Sequence, residues 1–280
     1  PKQLLTNLNK DSILDVQLGD QVQKEMSILF SDIRSFTTLS ESMLPEENFK
    51  FVNTYLSKMG PIVRENNGYI DKFIGDAIMA LFEKSPDDAV RTSVKMLDAL
   101  REYNKVRIRE GNDPIRIGIG VNTGMMMLGT LGESDRMEGS VISDAVNIAA
   151  RLEGLTKLYK TPLLISGETL LKIDDSIFET RLIDKVAVKG KVKPIMVHEV
   201  LNGETPDLRE IKISMLPNFK KCFELYQNQK FENALELFRK YLKKVPEDHV
   251  GQLYVDRCQK ILSSGWDSEN WEGINYMDNK

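Results

Sequence analysis

The stretch Tyr69-Ile-Asp-Lys-Phe-Ile-Gly-Asp-Ala-Ile-Met-Ala-Leu-Phe82 constrains this chain most. Two short apolar runs flank the dipeptide Gly75-Asp76, which is the pattern of a β-hairpin, and glycine at the first central position suits a type II′ turn. A strand period of two predicts Lys72 on the same face as Ile70 and Ile74, and the turn predicts the Asp76 carboxylate at the hairpin tip, facing solvent or a ligand. A second run, Ser27-Ile-Leu-Phe-Ser-Asp-Ile-Arg-Ser-Phe-Thr37, reads as a strand that delivers Asp32 where it ends. An aspartate in a hairpin turn is ordinarily a turn former. Two strand-end aspartates can also share a hard, oxygen-seeking cation.

The rest of the chain alternates helix and strand signals. Leu4, Leu5 and Leu8 suit a short lead-in helix or a frayed end. Phe49, Val52, Tyr55, Leu56, Met59 and Val63 have helical spacing that stops near Asn66-Asn67-Gly68, and a second helix is predicted from about Pro86 through Val106. Ile115 to Gly124 alternates as a strand. Its glycines miss the G-x-G-x-x-G spacing because Thr123 stands where the third belongs, and no G-x-x-x-x-G-K-[ST] is present. Close packing accounts for them better, and Met125 to Met127 reads as core. A helix from about Ser143 to Tyr159 buries Ala145, Ala149 and Leu152, so Asn147 and Arg151 project together from its other side. A polar helix face is ordinarily just solvated. Leu163 to Ile165, a short helix near Glu168 and a hairpin over Val186 to Val200 follow. From Pro206 the signal is helical, and Phe231, Ala234, Phe238 and Pro246 loosely match one tetratricopeptide-like unit, which cannot bury its own face. Packing on the preceding part of the chain, on a dimer mate or on another partner are the options, with docking inside a dimer ranked first.

Composition removes several classes. With 41% hydrophobic and 29% charged residues in 280, the chain is globular and not disordered. No apolar run approaches the roughly 18 residues a spanning helix needs, and no secretory leader is evident, so a cytoplasmic location is expected. The chain starts at Pro1 without methionine, which leaves room for an upstream sensor or membrane region in a longer protein. A formal charge of −4 without a long basic block argues against nucleic-acid binding. Cys222 and Cys258 lack C-x-x-C spacing, and His198 and His249 stand alone, so any metal is expected on oxygen ligands.

These segments, in this order, resemble the class III nucleotidyl cyclases, the adenylyl and guanylyl cyclases, over roughly Lys24 to Leu201. The resemblance implies an α+β fold with a ferredoxin-like palm core and a C-terminal α-helical extension. Residues 1–23 would be a lead-in segment, 24–201 the catalytic domain, and 206–280 the helical, tetratricopeptide-like tail. It further implies a homodimer that converts ATP to 3′,5′-cyclic AMP and pyrophosphate with two divalent ions, Mg²⁺ or Mn²⁺, per site. Asp32, Asp76 and the Ile33 carbonyl match the metal ligands; Asn147 and Arg151, in Val146-Asn-Ile-Ala-Ala-Arg151, match the residues that orient the ribose and stabilise the transition state. Lys72 matches the adenine-reading lysine, where guanylyl cyclases carry glutamate. Ser140 falls at its partner position, a departure from the aspartate of many members and closer to the hydroxyl-bearing, bicarbonate-responsive subgroup. Lys189 matches a lysine that reaches the triphosphate, and Met125 replaces a basic phosphate contact found in some members. The competing expectations are a catalytically silent nucleotide- or bicarbonate-sensing dimer and a guanylate cyclase.

Overall fold

A computed structural model describes residues 2–12, 15–133, 136–187, 193–265 and 271–276. Two long strands form its spine: β1 (Gln21–Ile33) pairs antiparallel with β4 (Ile117–Glu133) along its whole length, from Gln21↔Gly129 to Ile33↔Ile117. On the other side of β1 lies the predicted hairpin, β2 (Gly68–Ile74) and β3 (Ala77–Phe82). The order β2-β3-β1-β4 is that of a β-α-β-β-α-β ferredoxin-like core. The sheet continues through β6 (Leu163–Ser166), β8 (Ile195–Val200), β7 (Thr180–Ala187) and β9 (Asn275–Tyr276), while β5 (Arg136–Ile142) folds back on β4.

The helices start and stop where local chemistry directs. α1 (Lys2–Asn7) is a single short helix, held by Lys24 Nζ, which donates to Asn7 Oδ1 at 3.0 Å and to Glu83 Oε2 at 2.7 Å. α2 (Phe36–Glu41) follows β1, and α3 (Pro45–Glu65) opens on a proline whose fixed φ suits the first turn. The Ser85 hydroxyl caps α4 (Pro86–Arg109) by accepting from Asp87 N. α3 and α4 cover one face of the sheet, packing Tyr55, Met59, Val63, Met96 and Leu97 against Leu29, Ile78, Ile119 and Ile165. α5 (Asp144–Tyr159) covers the other face, and the one-turn α6 (Gly167–Leu170) follows β6.

The tail is α7 (Pro206–Ser214), α8 (Leu216–Gln227), α9 (Phe231–Leu242) and α10 (His249–Ser264). It docks on its own sheet. Phe219, Phe223, Tyr226, Phe238 and Tyr254 share one core with Leu152, Tyr159, Leu164, Ile183 and Val197. Phe231, Ala234 and Phe238, which suggested a stacked repeat, belong to that core between α8 and α10, where Phe238 meets Phe219 and Tyr254 and Phe231 meets Tyr226, so their spacing reports helix packing within the tail. A buried ion network fixes the seat. Arg181 on β7 binds both oxygens of Asp248, the N-cap of α10, at 2.5 and 2.8 Å, and Glu199 on β8 at 2.6 Å, while Lys212 on α7 reaches Glu199 at 2.7 Å. Removing one partner from such a buried set costs about 3–5 kcal/mol because a charge is stranded, so the network specifies where the tail sits.

Candidate active site

The hairpin turn forms as the sequence predicts. Gly75 has φ +64° and Asp76 stays at negative φ, which is the type II′ arrangement. The turn closes over the end of β1, where the Ile33 N–H donates to Asp76 Oδ2 at 3.0 Å. Asp76 is therefore buried, at 8% exposure, so of the two expectations for the hairpin tip, solvent or a ligand, solvent is excluded. Its carboxyl lies against that of Asp32. Burial, then the hydrogen bond and charge of Asp32, push Asp76 up to about 7. Positive charge nearby is limited: Lys157 Nζ stands 4.0 Å from Asp32 Oδ2, and Arg34 is already bound to Glu153 at 2.7 Å. Two crowded carboxylates that ionise together only with difficulty are the donor set a hard divalent cation stabilises, so these residues fit an oxygen-ligated metal. Among the described residues no group of three or more His, Cys, Asp and Glu side chains could hold a metal.

Sequence reasoning missed the groups behind this pair. Arg34 follows Asp32 by two residues, and Glu153 and Lys157 are one turn apart on α5, so their i, i+4 spacing beside a strand-end cation was a readable signal. Gly118 makes room for them: a Cβ there would sit 1.3 Å from Arg34 Nη2.

The structure corrects the placement of Lys72. A β-bulge interrupts β2 between Ile70, which pairs with Ala80, and Lys72, which pairs with Met79. Adjacent partners on β3 point to opposite faces, so Lys72 shares the face of Met79 and Ile74 and lies opposite Ile70. It leaves the α3 side of the sheet, where Ile70 packs, and makes an ion pair with Asp71 at 3.4 Å. Ser140 is half-buried on β5, opposite Gly129. The methionine run divides: Met126 is core, whereas Met125 is 49% exposed.

Ser143 caps α5 by accepting from Ala145 N at 3.0 Å. The helix lies so close on β4 that a Cβ on Gly120 would meet Glu153 N at 2.2 Å and Ala149 O at 2.5 Å, which is the close-packing role expected of these glycines. With Ala145, Ala149 and Leu152 buried, Asn147 is exposed and Arg151 half-buried on the opposite side. Neither side chain forms a hydrogen bond or ion pair with another described residue. One chain does not bring this amide and guanidinium to the aspartates. Lys157 marks the level of Asp32 along α5, and at 1.5 Å per residue Asn147 lies about 15 Å and Arg151 about 9 Å further along the axis. Lys189 lies outside the described residues.

Residues 18–202 match the adenylate and guanylate cyclase catalytic domain. The chain belongs to this family. Similar proteins include an adenylate cyclase specific to terminal differentiation from Dictyostelium discoideum, 38% identical over 87% of this chain and 12% of its own length. An adenylate cyclase of Anabaena cylindrica is 41% identical over 71% of this chain and 41% of its own. The chain thus spans less than half of either relative. Its cyclase fold also matches the crystal structure of an adenylyl cyclase from P. aeruginosa, with a TM-score of 0.59 and 31% identity over 64% of this chain and 95% of that one.

Proposed function

We propose that this cyclase-family chain converts ATP to 3′,5′-cyclic AMP and pyrophosphate at sites shared between two copies of itself. The observation that carries this reading is the split within one chain. The paired carboxylates Asp32 and Asp76 sit at one end of the sheet, and the unpartnered Asn147 and Arg151 lie about 9–15 Å along α5 from them. A two-fold dimer brings the amide and guanidinium of one copy to the carboxylates of the other and makes two equivalent sites. Exposed apolar groups on the hairpin tip, Phe73 and Ile74, and on the β4–β5 edge, Met125 and Ile142, give a second copy something to cover.

Two divalent ions, Mg²⁺ or Mn²⁺, held by Asp32, Asp76 and the Ile33 carbonyl, would acidify the ribose 3′-hydroxyl and neutralise the phosphates. The chain's own groups do the rest. The Ile33 N–H holds Asp76 in place, Asn147 orients the ribose, Arg151 offsets charge that develops on the α-phosphate, and Lys189 binds the triphosphate. Lys72 donates to adenine N1 and the Ser140 hydroxyl accepts from N6. Guanine presents the reverse pattern, so ATP is the preferred substrate. Bicarbonate stimulation is a further part of this reading, resting on the hydroxyl at Ser140, and a chloride control at matched pH and ionic strength tests it.

One assay decides the main point: incubation with ATP or GTP and Mn²⁺, measuring both cyclic nucleotides. Cyclic AMP as the dominant product supports the proposal; ATP binding without product marks a silent module. Lys72→Glu with Ser140→Cys is expected to move preference toward GTP, and an unchanged ratio in an active double variant would place base recognition elsewhere.

A further inference from the structure

A cavity of about 430 Å³ opens behind the carboxylate pair, between α4, the start of β4, the end of α5 and the loop into α7. Its wall carries Arg34, Arg101, Arg116, Lys157 and Lys160 against one carboxylate, Glu204. Several of these charges are committed. Arg34 is bound to Glu153 and Arg101 to Asp98, and Glu204 accepts from Lys212 at 2.5 Å. Arg116 and Lys160 form no ion pair among the described residues, and the ion pair of Lys157 is the 4.0 Å approach to Asp32. The cavity therefore holds a net positive charge with guanidinium and ammonium groups free to bind.

Two further observations point the same way. Thr161, on the same wall, is 3% exposed, and its Oγ1 is buried without a hydrogen-bond partner among the described residues. A hydroxyl left unmatched in a folded interior is unusual, and Thr161 lines this cavity. His249, the first residue of α10, has its pKa lowered, first by burial and then by Lys160, against an opposing effect of Asp248, with Lys212 and Arg116 adding smaller lowering effects. An imidazole that resists protonation there senses the positive potential of the same cluster.

We propose that this cavity is a second anion site that takes an oligophosphate group, separate from the proposed nucleotide site. Arg34 and Lys157 form the partition between it and Asp32. Three available cations and a hydroxyl donor match a compact, multiply charged anion whose oxygens accept several charge-assisted hydrogen bonds; a chloride ion satisfies the charge and leaves the donors unused. The group can arrive as free diphosphate or as the tail of a nucleoside triphosphate. The choice of diphosphate as first probe rests on the proposed reaction, which releases it, while the charge and geometry do not.

The test is calorimetric titration of diphosphate into the protein in metal-depleted buffer at fixed ionic strength. No turnover is involved, so this result and the cyclase assay fail independently. One site is expected in the wild type. Arg116→Ala with Lys160→Ala, both exposed positions whose loss leaves the core intact, should weaken binding by about tenfold or more. Thr161→Val should weaken it less, and Arg151→Ala should leave it unchanged. Displacement by ATP in the Arg151→Ala protein identifies the nucleoside triphosphate as a source, and its failure leaves free diphosphate. Absence of binding to wild type, binding that survives the Arg116 and Lys160 substitutions, or binding lost in Arg151→Ala overturns the proposal; the last places the anion at the nucleotide site.

Discussion

Asp76 combines two conditions that conflict in a protein without metal: it is buried under a fixed backbone donor, and it faces a second carboxylate. A cation resolves the conflict, so Mn²⁺ should raise the thermal midpoint of the wild type by mass action on the folded state. Asp76→Ala should abolish that rise and lower turnover by about 10²–10³-fold or more, as loss of a preorganised electrostatic partner does, while the chain stays folded. Turnover near the wild-type level at saturating Mn²⁺ would exclude the carboxylate pair as the metal site. His198 shows a different consequence of burial. It lies on β8 between Ile165 and Leu182, its Nδ1 has no partner among the described residues, and burial lowers its pKa from 6.5 to about 4. A base with a depressed folded pKa binds fewer protons folded than unfolded between pH 6.5 and 4, so its contribution to stability is lost as pH falls through that window. At full titration the loss is on the order of 3 kcal/mol. His198→Leu should therefore gain on the wild type in urea denaturation at pH 4.5 relative to pH 7.5, and an equal difference at both pH values would contradict this.

Elements whose signals were local were legible in the sequence. The hairpin around Gly75-Asp76 formed as read, because its turn residues and apolar flanks agree. The same holds for α5, whose buried stripe of Ala145, Ala149 and Leu152 leaves Asn147 and Arg151 outside. What could not be read was register. The bulge at Asp71 moves Lys72 to the other face, and nothing in an alternating apolar strand announces one unpaired residue. The length of β1 was underestimated for a related reason: Gln21 to Glu25 carry only Val22 as an apolar residue and become a strand because β4 extends beside them. Glycines gave a correct but incomplete signal, since close packing was evident while the packed atoms were not. At Gly120 the obstruction is α5 backbone, 2.2 Å from a new Cβ, and Gly120→Ala must lift the helix; a loss of about 3 kcal/mol or more in urea denaturation is expected. At Gly118 the obstruction is side chain, Arg34 Nη2 at 1.3 Å and Thr156 Oγ1 at 2.2 Å, and side chains can turn aside where helix backbone cannot, so Gly118→Ala should cost less stability. Comparable losses at both positions would show that α5 can shift to accept the methyl group.

For the whole molecule, the tail and the proposed dimer answer the same need to cover apolar surface, and the fold assigns each its own area. The helices α8 and α10 take the β6–β7–β8 face with α9 packed on them, held by the Arg181 and Asp248 network, which no local pattern could reveal because its members lie up to 67 residues apart. The hairpin tip and the β4–β5 edge stay open, and there a second copy would complete the site. The decisive experiment exploits that division. An Asp76→Ala chain lacks the carboxylate half but retains Asn147 and Arg151; an Asn147→Ala chain has the reverse defect. Each homodimer should be nearly inactive. In an equal mixture with free exchange, roughly half of the dimers are mixed, and two-fold symmetry gives each mixed dimer one intact and one doubly defective site. Activity should recover to roughly one quarter of wild type when the two chains are co-expressed. If mixed dimers are isolated by differential tagging and still show no activity above either parent, the two halves of the site do not come from different chains.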